Sequence, residues 1–136
     1  MTFLLDTNAC IALINGTASV RARFEQTIAG ENQISVSSIV AFELWYGVAK
    51  SARPETNAAR VEAFFAGPLR LLPFEEADAR AAGSLRAAMQ STGRTIGAYD
   101  LLIAGQALRH KIVLVTSNVR EFSRVKGLAW QDWARS

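Results

Sequence analysis

The sequence has little cysteine and little histidine, which limits the chemistry it can carry. Cys10 is the only cysteine and His110 the only histidine in 136 residues. One cysteine cannot form an internal disulfide, zinc sites usually recruit several Cys or His ligands, and a catalytic histidine pair is excluded. We expect Cys10 to lie in the core and His110 to be a charge at the surface or at a helix end.

Long apolar runs and flexible linkers are also missing. No apolar run approaches the roughly 20 residues that span a bilayer, and the N-terminus lacks the basic start and cleavage site of a signal peptide. No Gly-, Ser- or Pro-rich stretch is long enough to be a linker. We therefore expect a single domain over residues 1–136 in the cytoplasm, with no membrane association.

Charge of either sign is modest. Lys and Arg number 15 against 12 Asp and Glu, which gives a net charge of +3. If the three carboxylates discussed below share a metal site, the remainder of the chain is more strongly basic. A basic body around an acidic pocket suits a polyanionic substrate.

Apolar and β-branched runs alternate with helical patterns along the chain. Phe3–Leu5 reads as the first strand, and Asn8 as the cap of the helix after it. Further strands are expected in QISVSS, RLLPF, IVLVT and, at an edge, GLAWQDW. This alternation predicts an α/β fold with three layers, α/β/α, and a central parallel sheet flanked by helices. Ligands of such sheets bind beyond the carboxyl ends of the strands, where Asp6 and the turn 116–118 are expected.

Three carboxylates stand in unusually apolar surroundings. They are Asp6 in LLDTN, Glu43 in AFELWYG and Asp100 in GAYDLLIAGQAL. Burying carboxylates costs several kcal/mol each unless a partner compensates, and a divalent cation compensates all three together. Oxygen-only ligands favour Mg²⁺ or Mn²⁺. Each residue also has a structural alternative: Asp6 as a helix cap, Glu43 paired with an Arg, and Asp100 at a helix dipole.

Five other acidic residues stand in less apolar surroundings. They lie in polar or turn-like stretches and are expected to be solvated or helix-start charges: Glu31, Glu55, Glu75, Glu76 and Asp78.

Four segments, in order, resemble the motif regions of the PIN-domain ribonucleases, specifically the VapC-type toxins of bacterial toxin–antitoxin pairs. They are LLDTNACIALI, SSIVAFELWYGVAKS, IGAYDLLIAGQAL and IVLVTSNVREFSRVKGL. The resemblance implies a PIN-like α/β/α domain with Mg²⁺- or Mn²⁺-dependent endoribonuclease activity. It also implies a homodimer, or a larger toxin–antitoxin assembly, neutralised by a VapB-type antitoxin protein. The implied target is structured RNA, a tRNA anticodon loop first and a ribosomal RNA loop second, with inhibition of translation as the result.

The resemblance assigns roles by position. Asp6, Glu43 and Asp100 match the family's acidic residues: Asp6 and Asp100 are expected to ligate the metal, and Glu43 to ligate it or to orient and deprotonate water. Many relatives have an Asp after the fourth strand, where this chain has Asn118, with Glu121 one helical turn on. Asn118 offers a neutral oxygen to a metal or its water, so the number of metals stays open.

Substrate contacts are expected around the mouth of this site. The candidates are Thr7, Asn8, Arg94, Thr116 and Arg120, with Arg124 and Lys126 nearby. Helical spacing predicts that one of Trp45 and Tyr46 is core and the other a dimer or antitoxin contact. Trp130 and Trp133 are expected to pack the terminal segment.

Two other functions remain open at this level. A Mg²⁺-dependent phosphohydrolase of the haloacid dehalogenase type also places an Asp after its first strand, but needs a second Asp where Asn8 stands. A catalytically weak RNA-binding or regulatory PIN module would retain the fold without a competent site. Such a module would bind RNA without a metal.

Overall fold

Five short parallel strands form the centre of the molecule. In the computed structural model, which describes residues 1–135, they form one sheet in the order β3-β2-β1-β4-β5. The strands are β1 (Thr2–Leu5), β2 (Gln33–Ser37), β3 (Arg70–Leu72), β4 (Val113–Val115) and β5 (Trp130–Gln131). The first strand pairs with β2 on one side and β4 on the other, so the winding direction reverses at β1.

Helices connect the strands and flank the sheet, which confirms the predicted α/β architecture. They are α1 (Thr7–Ile14), α2 (Ala18–Ala29), α3 (Ser38–Ala49), α4 (Pro54–Phe65), α5 (Glu76–Ser91), α6 (Ala98–His110) and α7 (Val119–Phe122). The central strands β1 and β4 are mostly apolar because both faces of the sheet are covered there: Leu4, Leu5 and Leu114 have no exposed surface. No helix within residues 1–135 has the length and apolarity needed to cross a membrane.

The helix pair α5 and α6 is packed at very short distance. A Cβ placed on Gly105 would lie 2.7 Å from Cα of Ala82. Only a residue without a side chain allows the two backbones to approach this closely.

The cap of α1 differs from the prediction. Asp6, not Asn8, is the N-cap: its carboxylate accepts a 2.8 Å hydrogen bond from the backbone N–H of Ala9. Strand β1 runs into α1 without an intervening loop, so the last extended residue is Asp6, and Asn8 lies exposed in the first turn. The capping alternative for Asp6 is therefore realised.

Two expectations about tryptophan and tyrosine were wrong in part. Neither Trp45 nor Tyr46 belongs to the core, because α3 buries Val40, Leu44 and Val48 at intervals of four residues and both aromatics point elsewhere. Trp133 is buried against Phe3, with ring centroids 5.7 Å apart, as expected. Trp130 stands on the edge strand β5 and stays 37% exposed.

Asp78 is a helix-start charge, as one of the two expectations for it stated, but it is not solvated. It lies at the start of α5 but is completely buried, and it accepts hydrogen bonds from the Arg109 guanidinium and the Glu75 backbone N–H. His110 lies 3.3 Å from the same carboxylate. Burial alone would raise the pKa of Asp78, but these hydrogen bonds and the Arg109 and His110 charges outweigh it and hold the pKa below its usual value.

Candidate active site

The site is built first around Asp6, at the carboxyl end of the central strand. The backbone N–H of Asp6 donates to the carbonyl of Val115, which ties the end of β1 to the end of β4. The side chain is 3% exposed. Burial raises the pKa of Asp6 to about 6; hydrogen bonds from Thr116 and Ala9 oppose the rise, and the charges of Glu43 and Asp132 add to it. Asp6 is thus a helix cap whose ionised form is disfavoured by burial and by neighbouring negative charges.

Glu43, on α3, lies at the same carboxyl end of the sheet as Asp6. The helix begins where Ser37, its N-cap, accepts from the N–H of Ile39, and Glu43 follows about one turn later. Its carboxylate is half-buried and accepts a 2.7 Å hydrogen bond from the hydroxyl of Thr7. The residue after Asp6 therefore fixes the position of Glu43.

Asp100 lies in the first turn of α6 and completes the predicted trio. Its pKa is raised to about 7, by burial first, then by a hydrogen bond shared with Glu121 and by the charges of Glu121, Asp6 and Glu43. Because Asp100 responds to the charges of the other two, the structure brings all three predicted carboxylates into one electrostatic neighbourhood.

Asn118 lies between Asp100 and Glu121. Its amide nitrogen donates to the carboxylate of Glu121 and lies 3.4 Å from Oδ2 of Asp100. The backbone N–H of Asn118 donates to the hydroxyl of Thr116, in the turn after β4. Glu121, on α7, therefore brings a fourth carboxylate to this site.

These four carboxylates, Asp6, Glu43, Asp100 and Glu121, are called the acidic cluster below. None of the ion pairs found within residues 1–135 involves any of them. Their oxygen-only donor set and mutual repulsion fit a hard divalent cation such as Mg²⁺. Within residues 1–135 no three Asp, Glu, His or Cys side chains lie close enough together to form a ready ligand set. Glu43 accepts a hydrogen bond from Thr7, and Glu121 accepts one from Asn118.

Asp132 is a further acidic residue near the cluster that the sequence reasoning missed. Its charge helps to raise the pKa of Asp6, and its side chain is 11% exposed. It lines a small cavity together with Asn8 and Thr116. Asp132 directly follows strand β5, just as Asp6 directly follows β1, and this position could have identified it as a site residue. Because β5 has only two residues, however, the sequence predicts this strand weakly.

The predicted substrate-binding residues divide into two groups. Thr7 and Thr116 hydrogen-bond members of the acidic cluster, and Asn8 lies exposed beside them. Arg94 and Arg120 are exposed and make no ion pair with the cluster. Arg124 donates to the carbonyl of Thr95 and so ties the segment after α7 to the loop before α6.

Comparison with known proteins agrees with this geometry. The model of the PIN domain family matches residues 3–128. A protein of Shigella flexneri named tRNA(fMet)-specific endonuclease VapC is 41% identical over 135 residues, which is 98% of this chain and 99% of that protein.

Solved structures show the same likeness. The structure of VapBC2 from Rickettsia felis, bound to a DNA fragment from their promoter, matches with a TM-score of 0.92 and 36% identity, over 98% of this chain and 99% of that one. DNA-bound VapBC from Salmonella typhimurium matches with a TM-score of 0.90 and 39% identity, over 98% of both chains.

Proposed function

The chain belongs to the VapC branch of the PIN-domain family, and from this premise we propose that it is a metal-dependent endoribonuclease toxin neutralised by a VapB-type antitoxin. One observation carries the proposal. Four carboxylates from β1–α1, α3, α6 and α7 interact beyond the carboxyl end of the central strand β1, where the strand order reverses, and the pKa of Asp100 there is raised to about 7.

We assign Asp6 and Asp100 as metal ligands, and Glu43 as a ligand or as the base that orients and deprotonates water. Asn118 and Glu121 complete the site. A bound Mg²⁺, or Mn²⁺ in its place, supplies a Lewis acid that lowers the pKa of water and neutralises charge on the phosphoryl oxygens. It also compensates the repulsion among the four carboxylates.

The protein's own residues prepare the site. The cap hydrogen bond fixes Asp6, Thr7 holds Glu43, and the Asn118 amide joins Asp100 to Glu121. His110 is paired with Asp78, so it is not the acid or base at the cluster. Cleavage is accordingly hydrolytic and does not need the RNA 2′-OH as nucleophile.

We propose tRNA as the substrate, cut in its anticodon loop. The Shigella flexneri relative is named as tRNA(fMet)-specific. Sequence-specific RNA cutting favours loops whose unpaired bases can be splayed out, and the anticodon loop is one. Its cleavage inhibits translation, in the cytoplasm where tRNA is used. Cleavage of a ribosomal RNA loop is the competing outcome.

The VapB-type partner is proposed from the solved relatives, which are VapBC complexes. A homodimer of this chain, or a larger toxin–antitoxin assembly, is the form we expect in the cell. The family match over residues 3–128 favours this nuclease over a haloacid dehalogenase-type phosphohydrolase.

Cleavage of total bacterial RNA tests the proposal. The purified chain is incubated with Mg²⁺, Mn²⁺ or EDTA, and the new RNA ends are mapped. We expect discrete tRNA fragments that disappear with EDTA and fall at least about 100-fold in Asp6→Asn and Asp100→Asn. Glu76→Gln, at an exposed carboxylate on α5, is the matched control and keeps full activity. RNA that stays intact in every lane but still binds in EDTA would instead establish a non-catalytic RNA-binding module.

A further inference from the structure

A fifth carboxylate, that of Asp132, lies beside the acidic cluster without belonging to it. We propose that Asp132 strengthens cation binding at the acidic cluster through its negative charge, without ligating the cation itself. This inference rests on the proposed metal-dependent function, because the cation on which Asp132 acts is the one assigned there to Asp6 and Asp100.

The register of the sheet places Asp132 in the same row as Asp6. The last paired residues of β1, β4 and β5 are Leu5, Val115 and Gln131. The residues that directly follow them are Asp6, Thr116 and Asp132. Adjacent strands lie about 4.8 Å apart, so the backbones of Asp6 and Asp132, two strands apart, are separated by roughly 10 Å. Charges interact appreciably over this distance unless water or salt screens them.

Thr116 stands between the two carboxylates and is bonded toward both. Its backbone N–H donates a 3.0 Å hydrogen bond to the carbonyl of Gln131, directly before Asp132, and its side chain hydrogen-bonds Asp6. Asp132, Asn8 and Thr116 also line a cavity of only about 30 Å³, which has room for about one water molecule. Because so small a space excludes bulk water, the charge of Asp132 is weakly screened there, in agreement with its contribution to the raised pKa of Asp6.

The residues on either side of Asp132 are anchored to the core. Trp133 is buried and packs against Phe3. The side-chain oxygen of Gln131 accepts a 3.0 Å hydrogen bond from the indole N–H of Trp133 and a 3.2 Å one from the guanidinium of Arg23. Asp132 therefore has a defined place relative to the sheet, although β5 itself has only two residues.

Both oxygens of Asp132 already have partners in the C-terminal turn, which favours a role other than that of a metal ligand. Oδ1 accepts a 2.9 Å hydrogen bond from the backbone N–H of Ala134, and the guanidinium of Arg135 lies 3.8 Å from Oδ2. The side chain of Arg135 is 90% exposed, so water screens this ion pair and Arg135 does not cancel the field of Asp132 at the cluster.

The effect on binding follows from Coulomb's law. Repulsion between Asp132 and the acidic cluster is present with or without a cation, whereas attraction between Asp132 and the cation arises only on binding. The cation also carries twice the charge of a carboxylate. Loss of the charge at Asp132 should therefore weaken cation binding.

Mn²⁺ binding to the full chain tests the inference without RNA. Free Mn²⁺ is measured by electron paramagnetic resonance during titration of the wild type and of Asp132→Asn, which keeps an oxygen that can accept the Ala134 N–H. We expect Asp132→Asn to raise the Kd for Mn²⁺ about 3- to 10-fold at about 0.05 M KCl, and Asp132→Glu to stay within about twofold of the wild type. At about 1 M KCl, where the Debye length falls to about 3 Å, the effect of Asp132→Asn should shrink below about twofold.

Two controls distinguish the charge of Asp132 from charge or stability in general. Glu76→Gln removes an exposed carboxylate on α5, and Asp78→Asn breaks a buried ion pair away from the acidic cluster. We expect both variants to bind Mn²⁺ like the wild type. In RNA cleavage, Asp132→Asn should need about 3- to 10-fold more Mg²⁺ for half-maximal activity but reach the wild-type kcat at saturating Mg²⁺.

The outcomes separate this inference from the proposed function. If Asp132→Asn binds Mn²⁺ as tightly as the wild type, the inference is wrong and the nuclease is unaffected. A loss above about 100-fold that persists in high salt exceeds what indirect effects on metal sites usually cost, so it would make Asp132 a ligand and also overturn the inference. A wild-type chain whose Mn²⁺ affinity depends on Asp132 as expected, but which never cleaves RNA, would overturn the proposed function alone.

Discussion

Thr7 Oγ1 donates a 2.7 Å hydrogen bond to Oε1 of Glu43, 36 residues away in the chain. Because Thr7 directly follows Asp6, this bond links two members of the acidic cluster through one residue of α1. We expect Thr7→Val, which keeps the shape but removes the donor, to lower kcat for RNA cleavage about 10- to 100-fold. Thr7→Ser should retain most of the activity, and equal loss in both variants would contradict a role for the hydroxyl.

The metal-free protein should become more stable on acidification between pH 8 and pH 5. The pKa is raised to about 6 for Asp6 and to about 7 for Asp100. A carboxyl with a higher pKa in the folded state binds its proton more tightly there, so the free energy of unfolding rises as pH falls through these values. We expect a rise of about 2 kcal/mol, measured by urea unfolding in EDTA.

The stabilisation of the protein by Mg²⁺ should have the opposite pH dependence, increasing as the pH rises. It should stabilise the protein more at pH 8, where the acidic cluster is ionised, than at pH 5, where protons compete with it. Asp100→Asn should flatten both the pH response and the Mg²⁺ response. Equal stabilisation by Mg²⁺ at both pH values would mean that the cation binds elsewhere.

Asp78 should contribute to stability rather than to catalysis. It is completely buried and hydrogen-bonded by Arg109, and its pKa is held below the usual value. We expect Asp78→Asn to lower the free energy of unfolding by about 2 kcal/mol at pH 7 and to leave kcat unchanged. Because the folded pKa is lowered, the difference from wild type should shrink as pH falls below about 4. Thermal unfolding from pH 7 to pH 2 measures both effects.

Two helical glycines should respond to alanine in opposite directions. At Gly105 a Cβ would lie 2.7 Å from Cα of Ala82, whereas at Gly83 nothing lies within 4 Å. Gly105→Ala should therefore force α5 and α6 apart and cost about 1–3 kcal/mol. Gly83→Ala should stabilise by up to about 1 kcal/mol through helix propensity. Urea unfolding of both variants compares them, and a neutral Gly105→Ala would contradict the close packing.

Much of the architecture could be predicted from local patterns. The helix Pro54–Phe65 is an example, because proline at its first position and Gly67–Pro68 beyond its end are strong local signals for where a helix begins and ends. Five strands separated by helices left little choice but a parallel sheet, and the carboxyl-end rule then placed Asp6 beside the turn after β4.

The residue environments that could not be predicted from the sequence are those set by partners distant in the chain. Asp78 looks like an ordinary first-turn charge until Arg109, 31 residues away, packs over it. Glu121 was noticed only as a neighbour of Asn118, and its contact with Asp100 requires α6 and α7 to meet. Trp45 and Tyr46 were misplaced because a helix with apolar residues on several sides does not reveal which of them face the core.

The strand order has a consequence for synthesis of the chain on the ribosome. Strand β1 is made first but lies at the centre of the sheet, and β4 can pair with it only after residue 115 has been added. A nascent chain shorter than this has an open central strand and lacks both Asn118 and Glu121. The acidic cluster can therefore be assembled only after residue 121 has been added, although Asp6 is among the first residues made, so every shorter nascent chain lacks a complete site.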